Sequence, residues 1–467
     1  MAGLIEFDWE PLDSPGVTDA AEAATWARLQ IQIGANGAAA EVLTRVLDLH
    51  ARTVRDHVYG TVLPLAEWLA RCWPHLFFSR RARPSVDAPR SERYAWERVR
   101  RWRYAGEGTA LPNVEFSFKD DLQLRLRWWR DEDSLSAPFE RVLFQSDGQL
   151  DSEPKTIQRS LEHFVASVLR RLEERAPRDP RTIELRETWQ LATDANAPDH
   201  VAQQLAALLG LFWPDLPSSK RDDMRSLVSQ DLQQLEQDLL QAATLKEAGA
   251  YLTEARAILQ SGAKAGPATA SWRKLWSGVA NVPADQPNDA RPWKRGWDAA
   301  RRLRTVLGTS SVTVTEPEPL WAEVQSQQRP LALQRVDAIV AWESGRQPVR
   351  AISQDGSPLR WRFGLARDLH PVLFGPSPDA RHAVVHSRFI AGSASVANAF
   401  AAELLAPAER VRELIGGRPA IDYDDLAEMA QVLGAPFACV AHQVGDHHLA
   451  RLEQRAEADS GAGPGLP

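Results

Sequence analysis

The apolar residues of this chain keep one rhythm in its first part and another from residue 151 onward, and that change limits its folds more than any single residue does. Trp26-Ala-Arg-Leu-Gln-Ile-Gln-Ile33 alternates apolar and polar positions, the period of a half-buried strand, and Gly34-Ala-Asn-Gly37 supplies turn residues after it. Val114-Glu-Phe-Ser-Phe118 and Leu122-Gln-Leu-Arg-Leu-Arg-Trp128 repeat the pattern, with Lys119-Asp120-Asp121 as the polar connection of a hairpin. Leu143 and Phe144 begin a further strand. One helix interrupts this region: Val62 to Ala70 places Leu65, Trp68 and Leu69 on one face, with Pro64 suited to its first turn. The first 25 residues, rich in Asp, Glu, Ala and Pro, are expected to form a loosely held arm.

From residue 151 the spacing becomes helical. Ile157, Leu161, Phe164, Val165, Val168, Leu169 and Leu172 line one stripe of an amphipathic helix, and further helices are expected around 182–192, 199–211 and 221–261. The Gly/Ala/Pro-rich 261–270 and the Pro/Asp/Asn-rich 281–292 mark a linker. After it, Trp297, Ala300, Leu303 and Leu307 define a helix ended by Gly308. Two short strands follow, Val336–Trp342 and Pro348–Ser353, joined by a turn containing Gly345. The fold class is therefore α+β and predominantly helical. A mixed α/β domain spans 1–150, a helical domain 151–262, a linker 263–290 and an α+β domain 291–457, and residues 458–467 are expected to be a disordered tail.

Composition narrows the setting. A chain of 467 residues has room for about two to four domains. A net charge of −7 argues against a wholly basic nucleic-acid coat, while allowing a local basic patch. The two cysteines, Cys72 and Cys439, offer neither a disulfide framework nor a thiolate zinc cluster. No charged-then-apolar leader precedes the first strand, and no apolar run approaches the length of about 18 residues that spans a bilayer. A cytoplasmic location with no membrane partner is the expectation. Seventeen tryptophans, the last of them Trp361, read as packing residues, with base-stacking platforms as the competing use.

Two segments of the last domain carry a resemblance. They are Trp361-Arg-Phe-Gly-Leu-Ala-Arg-Asp-Leu-His-Pro-Val-Leu-Phe-Gly375 and Val396-Ala-Asn-Ala-Phe-Ala-Ala-Glu-Leu-Leu-Ala-Pro407. Together they resemble the signature helices of the ImmA/IrrE metallopeptidases, a zincin-like family, and the resemblance covers residues 291–457. In that family one helix bears two zinc-binding histidines and a catalytic glutamate, and the second supplies a third ligand. Two histidines one helical turn apart face one ion, and the glutamate beside the first polarises its water. In register, the first histidine position holds Arg367, the glutamate position Asp368 and the second histidine position Pro371. Ala394 and Val396 stand where the third ligand is expected. Arginine repels a dication, and Pro, Ala and Val have no side-chain ligand atom. None of the eleven histidines is followed by Glu, so the motif has not moved elsewhere. The resemblance therefore implies a pseudo-metallopeptidase without a catalytic residue or cofactor.

Four further features carry readings of their own. His382 and His386 have the spacing of a metal pair if helical, with His370 as a third ligand. Asp368 reads as a helix-surface carboxylate paired with Arg367 or Arg362. Residues 80 to 103 hold nine arginines against three acids, among them Arg80, Arg81, Arg83, Arg98, Arg100, Arg101 and Arg103, interleaved with Trp96 and Trp102. That pairing suits a nucleic-acid contact; the alternative is a solvated helix face in which Glu92 and Glu97 pair with the arginines. Asp424 to Val444 reads as helix, Gly turn, helix and resembles the helix-turn-helix-like unit that ends many ImmA/IrrE domains. With a single basic candidate, His442, on its second helix, it is expected to pack against the domain rather than enter a groove.

The favoured function is a protein-binding or regulatory module. By the resemblance, its partner class is a transcription regulator or a component of a stress-response, mobile-element or phage-defence system. Nucleic acid bound through residues 80–103 is the second reading. A hydrolase with a site assembled from residues 1–260 is the third.

Overall fold

The structure, a computed structural model, describes residues 4–13, 16–34, 40–106, 109–119, 123–131, 142–227, 234–284, 291–324, 327–342, 346–353, 357–374, 382–387, 390 and 395–452. The expected connections at 35–37, 120–121 and 345, Ala394 and the tail 458–467 lie outside them. The chain falls into two compact units, residues 1–252 with 388–392, and 253–387 with 393–467. It is mixed α/β with helix predominating. Among the described residues no helix is long and apolar enough to cross a membrane.

In the first unit the strands are β1 (Ile5–Pro11), β2 (Trp26–Ile33), β3 (Glu41–Val42), β4 (Val46–Asp48), β5 (Thr53–Arg55), β6 (Val58–Thr61), β7 (Asn113–Phe118), β8 (Leu124–Trp129), β9 (Val142–Phe144) and β10 (Gly148–Ser152). They make three small antiparallel sheets: β1, β3 and β6 around β2, β7 and β10 around β8, and β5 and β9 around β4. The helices are α1 (Ala20–Ala24), α2 (Leu63–Phe77), α3 (Arg90–Arg98), α4 (Pro154–Arg175), α5 (Pro180–Thr193), α6 (His200–Leu208), α7 (Ser218–Leu227), α8 (Gln234–Ala242) and α9 (Ala248–Lys264), most of which belongs to the second unit. The apolar stripe of α4 and the buried α2 close one core over β1 and β2, with Leu69, Trp73, Ile157, Leu161 and Val168 inside.

The N-terminal segment is not an arm. It is strand β1, in register with β2 from Ile5 opposite Ile33 to Pro11 opposite Ala27. Ile5, Phe7 and Trp9 share one face: Ile5 is buried, Phe7 stacks on Phe164 at 4.3 Å, and Trp9 Nε1 donates to Ser167 Oγ at 3.1 Å. The acidic residues between them hid this period of two, since they occupy the solvent side of the strand.

The second unit contains α10 (Ala270–Asn281), α11 (Pro292–Leu307), α12 (Pro317–Val324), β11 (Gln327–Pro330), β12 (Ala338–Trp342), β13 (Val349–Ile352), α13 (Pro358–Phe374), β14 (His382–His386), α14 (Ser395–Leu405), α15 (Ala408–Ile415), β15 (Ala420–Ile421), α16 (Tyr423–Leu433), α17 (Phe437–Asp446) and β16 (Arg451–Leu452). Its main sheet runs β11-β13-β12-β14, antiparallel apart from the β11–β13 pair. The expected linker contains helix α10. Thr269 caps it by accepting from the Trp272 N–H at 3.1 Å, and Trp272, Leu275 and Val279 lie in the unit's core. Their i, i+3, i+7 spacing outweighs the Gly and Pro before them, because it buries three large side chains.

Helices α11 and α14 cross at Gly296. A Cβ there would sit 2.4 Å from the Val396 carbonyl oxygen and 2.8 Å from the Phe400 nitrogen. The facing part of α14 is small or flat, with Ala397, Phe400, Ala401, Leu404 and Leu405 buried. The segment Ala-Asn-Ala-Phe-Ala-Ala is therefore a packing signature in this chain.

Candidate functional site

The stripe Leu365, Asp368, Leu369 and Val372 turns α13 toward the sheet, so an acid occupies an apolar register. Asp368 is fully buried, which corrects the expectation of a surface carboxylate. Its Oδ2 accepts from Arg350 Nη2 at 2.8 Å and Nε at 3.3 Å. His386 Nε2 lies 3.3 Å from Oδ1, and Arg367 Nε 3.6 Å from it. Arg350, from β13, is itself buried and stands over the Trp321 ring at 4.3 Å. The two buried ions compensate each other, and removal of either leaves an uncompensated charge. Burial, and then Arg367, hold the His386 imidazole well below its usual pKa, so the ring is neutral. Arg362 points elsewhere, donating to the Gly434 carbonyl at 3.2 Å beside Glu316 and Glu318.

The other positions in the register of the resemblance, and the three histidines, scatter. Pro371 is buried inside α13, and Arg367 Nη1 reaches Asp337 at 3.8 Å. His370 and Val396 do meet, lining one cavity of about 340 Å³ with Arg295 and Phe374. Burial and the Arg295 charge lower the His370 pKa to about 4, and its ring packs against both Phe374 and Phe400. His382 and His386 are the ends of strand β14 rather than successive turns of a helix. Four strand steps separate their Cα atoms by about 13 Å, too far for one ion. Among the described residues no group of three His, Cys, Asp or Glu side chains is placed to hold a metal.

A larger cavity, about 670 Å³, opens on the other side of α14. Trp293 and Trp297 of α11, Leu359 and Phe363 of α13 and Phe437 of α17 give it an apolar lining, and Gln443 and His442 add polar edges. Leu359 and Phe437 are 41% and 39% exposed, well above the core. Behind this wall stands Glu403, which the sequence reading had passed over. It accepts from Gln443 Nε2 at 3.0 Å and the Ala408 N–H at 3.3 Å, and pairs with Arg304 Nη1 at 3.4 Å. Its carboxylate thereby ties α11, α14, α15 and α17 together around the cleft. The helix-turn-helix-like unit, α16 and α17, buries Leu426, Met429, Leu433, Cys439, Val440 and Val444 in the same core.

The arginine-rich segment is committed mostly to its own unit. Arg80 pairs with Asp238, Arg98 with Asp215 at 2.5 Å, and Arg101 with Glu115 at 2.8 Å and Glu97 at 3.0 Å. Arg81 donates to the carbonyls of Gln241 at 2.9 Å and Ala243 at 3.2 Å. Trp102 is fully buried, which removes it as a stacking platform, and what is left open of Trp96 faces a cavity rather than the outer surface. Arg103 is exposed, Arg83 reaches Glu115 at 3.6 Å, and Arg100 lies buried.

No family model, curated protein or solved structure matches this chain.

Proposed function

We propose that the second unit is a non-catalytic, ImmA/IrrE-like module that binds a protein partner in the cleft between α11, α13, α14 and α17. The observation that carries this reading is the buried Arg350–Asp368 pair. In the register of the resemblance, the glutamate position has become half of a structural ion pair, and Arg367 and Pro371 replace its ligand neighbours. Both guanidinium hydrogen bonds fall on Asp368 Oδ2, and Oδ1 is turned to His386 and Arg367 inside the core, where the fully buried carboxylate is closed to an incoming water. The apolar cleft supports the binding half of the reading, since its size and mixture of aromatic walls and polar edges suit a helix or a peptide side-chain cluster. By resemblance, the partner is a helix-turn-helix regulator. The internal engagement of the arginines in residues 80–103 gives the nucleic-acid reading less support.

The test presents the full chain to an array of helix-turn-helix regulators in a two-hybrid format. Purified hits are then titrated against wild type and the Leu359→Glu/Phe437→Glu double variant. At least one regulator binds, stays intact on prolonged incubation, and loses about tenfold or more in affinity to the variant. Chelator-sensitive cleavage of the regulator, or binding indifferent to the cleft, would overturn the proposal.

A further inference from the structure

A third cavity, of about 460 Å³, lies in the first unit where α3 and the chain before it meet the start of the loop after α6. Its volume is that of a small-molecule site. Arg100 and Ser79 line it, and both are 1% exposed. Arg100 Nη2 donates to the Ser79 carbonyl. Among the described residues its Nε and Nη1, and the Ser79 hydroxyl, have no hydrogen-bond partner. The acid nearest in effect is Glu115, and its two oxygens already face Arg101 at 2.8 Å and Arg83 at 3.6 Å. A buried guanidinium with idle donors is costly to a fold, and a group that matches it in charge and geometry relieves that cost.

The rest of the lining adds to the same demand. Arg81 and Arg83 bring two further positive charges, against the single carboxylate of Glu92 at the exposed rim. Burial lowers the Arg100 pKa only to about 10, so it remains ionised at neutral pH. His75 is brought down to about 3 by burial and by Arg100, and stays neutral. The indole of Trp96 forms a flat wall, with Arg100 and Arg83 5.6 Å and 5.9 Å from its centre. Gly210, at φ +73°, lets Arg81 lie against the chain; a Cβ there would come within 2.9 Å of Arg81 Nε.

We infer that this cavity binds a small organic anion, whose phosphate or carboxylate meets Arg100, Ser79 and Arg83 and whose apolar body lies on Trp96. The planar fork of arginine matches both anions bidentately, and the aromatic wall favours a flat or apolar remainder. This site is independent of the cleft in the second unit.

The experiment titrates the full chain with phenyl phosphate, benzoate, inorganic phosphate and benzyl alcohol, by calorimetry and by thermal shift. Phenyl phosphate or benzoate binds saturably at or below millimolar concentration, inorganic phosphate more weakly, and the neutral alcohol not at all. Preference between the first two identifies the anion. Arg100→Met abolishes the binding and raises the melting temperature of the ligand-free protein, since a buried charge that no acid pairs among the described residues has been removed. Arg83→Gln, at a half-exposed position that folding tolerates, weakens binding by about tenfold. The inference is overturned if no anion binds wild type at millimolar concentration, if both variants bind as wild type does, or if a single-stranded oligonucleotide binds where phenyl phosphate does not.

Discussion

Arg100 in the first unit and Arg350 in the second are buried to the same depth, 1% and 2% exposed, and differ in what faces them. Arg350 donates twice to Asp368, and the pair fixes a helix to a sheet. Arg100 donates once, to a carbonyl, and borders a cavity. A buried charge that is matched reads as structure, and one that is unmatched reads as a site. The two units also differ in the histidines whose protonation burial opposes. The second holds His370, His386 and the more open His447, and the first holds His75 and the more open His57.

That last difference gives the largest expected effect. Each of these histidines has a folded pKa below the unfolded value of 6.5, so its contribution is present above pH 6.5 and lost as the unfolded state takes up protons in more acid solution. At pH 5.5 the loss is about 1.4 kcal/mol per deeply buried histidine, hence about 3 kcal/mol from His370 and His386 in the second unit against about 1.4 from His75 in the first, with smaller shares from the more open His447 and His57. Hydrogen exchange read by mass spectrometry at pH 7 and 5.5 compares them, and equal losses would break the contrast. Next is Gly296→Ala, which forces α11 from α14 and is expected to cost about 3 kcal/mol in denaturant unfolding, without moving the first unit. In the first unit Gly210→Ala meets a left-handed backbone and the Arg81 side chain, for about 1–2 kcal/mol. It should also weaken the binding of phenyl phosphate by displacing Arg81. Smallest is Thr269→Ala, which removes the cap of α10 at about 1 kcal/mol. A thermal melt unchanged by it would mean that α10 owes nothing to its cap.

Much of this was legible in residue spacing. Strand β2, the β7–β8 pair, helix α4 and the glycine that ends α11 all follow from periods and caps, which are local. In β1 and α10 the acidic, Gly and Pro composition masks the spacing: Ile5, Phe7 and Trp9 alternate, and Trp272, Leu275 and Val279 recur helically. Asp368 carried a local signal too, since it interrupts an apolar stripe, but its partner Arg350 lies on another element and only the fold joins them. The arginines of residues 80–103 were visible as a cluster. Which of them pair with Asp215, Asp238 or Glu115, and which is left without an acid, depends on contacts distant in sequence. Glu403 looked like one more helix acid because its partners come from α11, α15 and α17.

The central claim is that Asp368 is a structural ion-pair partner, standing where the resemblance would place a catalytic acid. The most direct measurement is a double-mutant cycle in unfolding free energy over Arg350→Met and Asp368→Leu. Each single change is expected to lower stability by about 3–5 kcal/mol, and the double variant to recover most of that loss, because no uncompensated charge remains. Stability unchanged by Asp368→Leu, or strictly additive losses, would contradict the claim and return Asp368 to the candidates for chemistry.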